Sequence, residues 1–138
     1  MTSFRFAHGM LPGSLELAYL GDTLYDLYVR ERLVAAGGRV QAMHAAAVRL
    51  VCAHAQSEAL ARIEAQLDEE ERAVVRRARN ARQTAPRHAE AAEYHRATAL
   101  EALLGWLYVK DRRERMEALL ALALPEEIID TERGNHGV

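Results

Sequence analysis

The sequence contains a single cysteine, Cys52, among its 138 residues. One cysteine excludes an internal disulfide framework and a zinc site built from cysteines, and no His-Glu-x-x-His motif replaces it. The chain also lacks an apolar run long enough to cross a bilayer. Its N-terminus lacks the basic and then apolar pattern of a signal peptide. These absences lead us to expect a cytoplasmic protein with no membrane partner.

Proline and aromatic residues are scarce as well, with three prolines and an aromatic content of 6%. Alanine, leucine, arginine and glutamate dominate, and β-branched residues are sparse outside a few valines. This composition favours helices nearly throughout, so we predict an all-α fold. The length predicts one domain over residues 1–138, with a core over about 12–122. A frayed, mobile tail is expected over about 125–138.

Glycine, proline and capping residues predict where the helices begin and end. The first helix is predicted from Ser14 to about Ala36, before Gly37-Gly38, with Gly21 as an interruption able to split it in two. Asp68 is a predicted N-cap. The remaining helices are predicted over about 40–67, 69–82, 89–110 and 111–122.

Charge is distributed unevenly along a chain whose net charge is only −2. A basic segment between Arg72 and Arg96 contains Arg76, Arg77, Arg79, Arg82, Arg87, His88 and His95. Acidic residues gather at 68–71 and 126–132. Counterion release is local, so a basic segment can bind phosphate on an acidic protein. The alternative is a solvated helix whose arginines pair with nearby carboxylates.

Three carboxylates lie at the edges of apolar helical stripes. Asp22 and Asp26 are one helical turn apart, and Glu101 is flanked by leucines, with Gly105 four residues later. If the two helices cross, Asp22 and Glu101 come within reach of one divalent cation such as Mg²⁺ or Mn²⁺. Such an ion could assist phosphodiester cleavage. The alternative is a glutamate exposed to solvent or paired with an arginine.

Several segments together resemble the ribonuclease III catalytic domain. The string Leu17-Ala18-Tyr19-Leu20-Gly21-Asp22 is similar to its "LGD" signature, and Leu100 to Gly105 is similar to its "EALIG" segment. The match is closer to the Mini-ribonuclease III branch, which lacks the double-stranded-RNA-binding domain. Three further segments support that branch: residues 42–56, 76–80 and 94–98. The resemblance covers about residues 12–122.

The resemblance implies a helical homodimer that cleaves double-stranded RNA with Mg²⁺, and Mn²⁺ as a substitute. It implies Asp22 and Glu101 as catalytic metal ligands, with Asp26 and Thr98 in supporting positions. Ala18 and Thr98 stand where larger relatives have acids, which leaves the number of metal ions open. The implied RNA-binding residues are Arg76, Arg77, Arg79, Asn80, Arg82, Arg87 and His88.

The expected role is maturation of the ends of the large-subunit (23S) ribosomal RNA precursor. RNA structure or a ribosomal protein is a candidate for presenting that substrate. Because two acids are absent, a non-catalytic RNA-binding or ribosome-assembly module on the same fold is the alternative. A DNA-binding helix-turn-helix regulator would explain the basic helix but not the two carboxylates.

Overall fold

The computed structural model describes residues 6–81 and 90–134, and within these ranges it is helical and without strands. This confirms the all-α prediction. The α-helices of the described part are α1 (Ser14–Ala36), α2 (Val40–Val51), α3 (Ala53–Ile63), α4 (Glu69–Arg79), α5 (Glu90–Val109), α6 (Arg113–Ala123) and α7 (Glu126–Gly134). Short 3₁₀ turns lie at Ala7–Gly9 and Glu64–Gln66. None of the described helices has both the length and the apolarity needed to cross a membrane.

The predicted end of the first helix and the predicted cap at Asp68 are confirmed. Gly37 and Gly38 have φ angles of 86° and 117°, a backbone region that side chains with a Cβ rarely adopt. At α4, the Asp68 carboxylate accepts a hydrogen bond from the Glu71 N–H, at 2.8 Å. The Glu71 carboxylate accepts one from the Asp68 N–H in return, at 2.9 Å. This capping box begins the helix where the sequence indicates.

Two predictions about helix continuity are wrong. Gly21 does not divide α1. The helix continues through it, and the glycine lies where α1 closely contacts α5. The stretch predicted as one helix over 40–67 is divided at Cys52, whose ψ angle of 163° is extended. The Val51 carbonyl there accepts a hydrogen bond from the side-chain amide of Gln56, at 3.0 Å.

The predicted frayed tail is wrong for Glu126–Gly134, which form α7. Ile129 is buried in the core. The Arg49 guanidinium on α2 holds Glu132 through a carboxylate contact of 2.9 Å and a backbone carbonyl contact of 2.6 Å. One buried isoleucine and one arginine fork therefore dock a segment whose composition is mostly charged.

Helix α5 is the centre of the fold, packed against α1, α3, α4 and α6. Its leucines at 100, 103, 104 and 107 are fully buried. The crossing with α1 depends on two glycines. A Cβ added at Gly21 would lie 1.7 Å from the Glu101 carbonyl oxygen, and one at Gly105 would lie 2.1 Å from that of Leu17. Backbones can approach this closely only where side chains are missing, so the two glycines fix which residues of α1 and α5 face each other.

Candidate active site

The crossing of α1 and α5 brings Asp22 and Glu101 together. The Asp22 side chain is near enough to raise the pKa of Glu101. Both line an open pocket of about 320 Å³ whose walls come from α1, α2, α3 and α5. The close approach at Gly21 places the Glu101 backbone one residue away from Asp22 along α1. The structure thus joins the two carboxylates that the sequence analysis paired.

The charge of Glu101 is poorly compensated within the protein. Burial raises the pKa of its carboxyl to about 8, and the neighbouring Asp22 carboxylate adds to the rise. A hydrogen bond with Gln56 lowers the pKa, but by less. Two carboxyl groups in contact cannot both ionise easily, so near neutral pH the pair holds a proton unless a cation arrives.

Ala18 and Thr98 lie in the same pocket, each one turn before a carboxylate. Both are buried. The Thr98 hydroxyl donates to the backbone carbonyl of Tyr94, at 3.1 Å. Both positions line the pocket, and neither alanine nor threonine adds a charge to it.

Gln56 on α3 was missed by the sequence analysis. It lines the carboxylate pocket and is only 2% exposed, and its side-chain oxygen has no hydrogen-bond partner among the described residues. One signal could have revealed it: Gln56 begins the stripe completed by Ala59, Leu60 and Ile63, so a polar residue occupies an apolar position.

The donors in this pocket suit a hard divalent cation. Asp22 and Glu101 supply carboxylate oxygens, and a buried amide oxygen without a partner belongs to a residue of the same pocket. Mg²⁺ and Mn²⁺ prefer such oxygen ligands and retain several waters. In the part of the chain that is described, no group of three or more His, Cys, Asp or Glu side chains is arranged to hold a metal. Two carboxylates suit an ion such as Mg²⁺, which keeps several of its waters.

Four of the predicted RNA-binding residues lie at the end of α4, and all are exposed. Arg76, Arg77 and Asn80 share an open groove with the beginning of α1, residues 13–16. Leu15 lines both this groove and the carboxylate pocket, so the two are adjacent. Arg79 lies in a neighbouring depression beside Arg72. The remaining three, Arg82, Arg87 and His88, lie outside the described residues.

Three acidic residues that could have neutralised these arginines are engaged elsewhere. Glu70 pairs with Arg112, Glu71 with Arg115, and Glu93 with His54. Across residues 6–81 and 90–134, no ion pair involves Arg76, Arg77 or Arg79. Their positive charge is therefore available at the surface.

Asp26 does not face Glu101 in this arrangement. Its carboxylate pairs with Arg30 one turn further along α1, at 3.0 Å, and it is not among the residues that line the carboxylate pocket. Such an exposed pair supports a helix by only a few tenths of a kcal/mol, about 0.3–0.5.

A family model described as "Ribonuclease III domain" matches residues 15–112, a range that contains Asp22, Glu101 and the α4 arginines. The chain belongs to the ribonuclease III family. A Mini-ribonuclease 3 of Symbiobacterium thermophilum is 45% identical over 86% of this chain and 93% of its own length. Another, from a Thermoanaerobacter species, is 42% identical over 80% of this chain and 79% of its own length.

A solved structure has the same fold. The crystal structure of a protein from Fusobacterium nucleatum superposes with a TM-score of 0.76 at 32% identity, covering 83% of this chain and 93% of that chain. The chain is thus an endoribonuclease of the ribonuclease III family, in the Mini-ribonuclease 3 branch. This outcome opposes both alternatives, the non-catalytic module and the DNA-binding regulator.

Proposed function

We propose that this ribonuclease III family member cleaves double-stranded RNA with Mg²⁺, or Mn²⁺ in its place, held by Asp22 and Glu101. The observation that carries the proposal is the proximity of these two carboxylates in an open pocket whose lining, among the described residues, includes no cationic side chain. The half-buried Glu101 is costly as an ion in such a place unless a ligand neutralises it. The whole chain would serve as one catalytic domain.

Each part of the pocket has a role in this proposal. When bound, a divalent cation supplies a Lewis acid that promotes attack by water and stabilises charge on the phosphate. Asp22 and Glu101 would hold the cation, and Glu101 would have to be deprotonated to do so. Ala18 and Thr98, which carry no charge, keep the protein's negative charge at the pocket low.

The α4 surface is the proposed contact with the RNA backbone. Arg76, Arg77 and Asn80 lie in the groove next to the carboxylate pocket, so a duplex bound there has its phosphates near Asp22 and Glu101. Duplex RNA is recognised mainly by shape, through phosphates and 2′-hydroxyls. Arginine forks bind phosphate oxygens in pairs, which makes them better suited than lysines. Arg79, Arg82, Arg87 and His88 would extend this contact.

The proposal includes a homodimer, supported by exposed apolar side chains on α1 and α2. Val34 is 65% exposed and Val40 76% exposed, and both line a pocket separate from the carboxylate pocket. A two-fold partner would cover such a surface and give one site for each RNA strand. Light scattering during gel filtration tests this, and a monomer at the concentrations that support cleavage would contradict it.

The physiological substrate is proposed from the resemblance of the sequence motifs. It is the large-subunit (23S) ribosomal RNA precursor, trimmed at its ends, with a ribosomal protein as a candidate for presenting the duplex. Cleavage of precursor RNA with and without bound ribosomal proteins would test this part separately from the chemistry.

The catalytic assignment is tested with purified protein, duplex RNA and Mg²⁺. Asp22→Asn and Glu101→Gln should each lower the cleavage rate at least about a hundredfold, because a catalytic cation contributes several kcal/mol. Glu31→Gln is the matched control, since Glu31 is exposed on the same helix and contacts Arg32. Cleavage that persists in both site variants would overturn the assignment.

The RNA surface is tested by the salt dependence of duplex binding. Arg76→Ala with Arg77→Ala should weaken binding and reduce the slope of log affinity against log salt by about 2, because each phosphate that an arginine neutralises contributes about 1 to that slope. Arg113→Ala on α6 is the control, since it removes one exposed arginine elsewhere. An unchanged salt slope in the double variant would contradict the proposed contact.

A further inference from the structure

Gln56 is a buried polar side chain whose place in the fold has a structural cost. It projects from α3 into the interior, is 2% exposed, and precedes buried Ala59, Leu60 and Ile63 on the same face. Its side-chain oxygen has no partner among the described residues. A buried amide oxygen left unsatisfied destabilises the fold, so an apolar residue would make a more stable core here.

The break between α2 and α3 fixes the orientation of this amide. Because the chain is extended at Cys52, the Val51 carbonyl accepts from the Gln56 side-chain nitrogen, at 3.0 Å. Rotating the amide by half a turn would set two oxygens against each other, so the hydrogen bond defines which end is nitrogen. The Gln56 backbone N–H is held as well, by the Cys52 carbonyl at 3.0 Å.

The same amide lines the pocket that contains the Glu101 carboxyl, and Gln56 lowers the pKa of that carboxyl. One amide nitrogen has two N–H groups, enough to serve both the Val51 carbonyl and Glu101. Asp22 lines the same pocket from α1, on another wall.

We propose that Gln56 is a positioning residue for the carboxylate pair, its amide anchored at the α2–α3 break and holding the Glu101 carboxylate in the orientation that binds a divalent cation with Asp22. The inference rests on the proposed function of this pocket. Ligands to a metal are usually oriented by hydrogen-bonding partners behind them, and loss of such a partner typically lowers metal affinity about 10- to 100-fold. In a site without acids at positions 18 and 98, the orientation of Glu101 matters more.

The test compares Gln56→Met with Gln41→Met, because Gln41 is exposed on α2 and its replacement controls for the loss of an amide. Mn²⁺ binding is measured without RNA, by the loss of the free-ion paramagnetic resonance signal. Mg²⁺ dependence and kcat are measured in the cleavage assay. For Gln56→Met we expect at least about tenfold weaker Mn²⁺ binding and a matching rise in the Mg²⁺ needed for half-maximal rate, with unchanged metal-free affinity for duplex RNA.

Mn²⁺ affinity and Mg²⁺ dependence within twofold of the unmodified protein would overturn the proposal for Gln56 alone. If the unmodified protein neither cleaves duplex RNA nor loses Mn²⁺ binding on Glu101→Gln, the function proposed for the pocket has failed instead. Should Gln56→Met not fold, the unmodified protein still gives an answer. Its Gln56 side-chain amide resonances should shift on Mg²⁺ addition while those of Gln41 remain, and equal behaviour of the two would refute the proposal.

Discussion

Glu71 and Glu101 are both withdrawn from solvent, yet the fold treats their charges in opposite ways. The Glu71 side chain is 1% exposed and is held by Arg115, whose guanidinium contacts both carboxylate oxygens at 2.8 Å. That contact lowers the pKa of Glu71. Glu101 faces Asp22 instead, and burial raises its pKa to about 8. Among the described residues, the charge of Glu71 is neutralised by a side chain of the protein, whereas the charge of Glu101 is not.

The difference separates a structural charge from a functional one. A buried carboxylate with its own guanidinium and a capping role needs nothing further to be stable as an ion. A half-buried carboxylate beside a second carboxylate is disfavoured as an ion until a cation comes from solution. The raised pKa of Glu101 therefore supports the proposed cation site, whereas Glu71, with its lowered pKa, belongs to a helix cap.

The largest effect is expected from a substitution at the crossing of α1 and α5, where the glycines allow the close approach that buries Glu101. Gly21→Ala would place a Cβ 1.7 Å from the Glu101 carbonyl oxygen, so α1 and α5 must separate. We expect a loss of at least about 3 kcal/mol in the free energy of unfolding, the upper end for overpacking, with loss of cleavage. Urea unfolding followed by circular dichroism measures this.

Gly134→Ala is the control, because a Cβ there meets nothing within 4 Å. It should be neutral or slightly stabilising, since alanine favours helix over glycine. Equal stabilities of the Gly21 and Gly134 variants would show that the crossing has room for a side chain and that the close approach does not hold Glu101 in place.

The sequence predicted the elements whose signals are local. Gly37-Gly38 and Asp68 mark helix ends through backbone conformation and capping, which depend on a few neighbouring residues. The break at Cys52 has no glycine or proline and arises where the Gln56 side chain takes the Val51 carbonyl, an interaction that no helical period predicts. Helix α7 depends on Arg49, which lies far away in the sequence.

In the candidate site, too, some residues could be predicted from the sequence and others could not. Asp22 and Glu101 could be paired in advance because each has a glycine nearby that permits two helices to cross. Gln56 could not, since it is a lone amide on an apolar face, outside any two-residue pattern. The availability of the α4 arginines was also unpredictable, because it depends on the neighbouring acids having partners on distant helices.

Replacing Glu71 or Glu101 with a neutral glutamine should change the free energy of unfolding by an intermediate amount. In the metal-free protein at about pH 8, Glu71→Gln should lower the free energy of unfolding by about 1–3 kcal/mol, because a partly exposed Arg115 loses its partner. Glu101→Gln should raise it by about 2 kcal/mol, because it removes a charge that the fold disfavours.

The contributions of Glu101 and Glu71 to stability should change with pH in opposite directions. The folded-state pKa of Glu101 is raised from 4.5 to about 8, so the folded protein binds the extra proton and stability falls as pH rises through that window. The pKa of Glu71 is lowered, so its contribution is present above its ordinary pKa and is lost as pH falls through the lowered value. If Glu101→Gln stabilises the protein equally at about pH 5 and pH 8, the raised pKa is not the cause.

The smallest effect is expected for His54, which pairs with the carboxylate of Glu93 at the surface of the protein. Its ring nitrogens contact Glu93 at 2.5 Å and Glu58 at 3.4 Å, and the hydrogen bond with Glu93 raises the pKa of His54. The stabilisation is therefore complete below the ordinary pKa of 6.5 and disappears as pH rises through the raised one. Solvent screens an exposed pair, so His54→Gln should change the melting temperature less than Glu71→Gln, and only below the raised pKa of His54. A change in melting temperature equal to that of Glu71→Gln, or one that persists at alkaline pH, would contradict the view that a paired carboxylate must also be buried to stabilise the fold strongly.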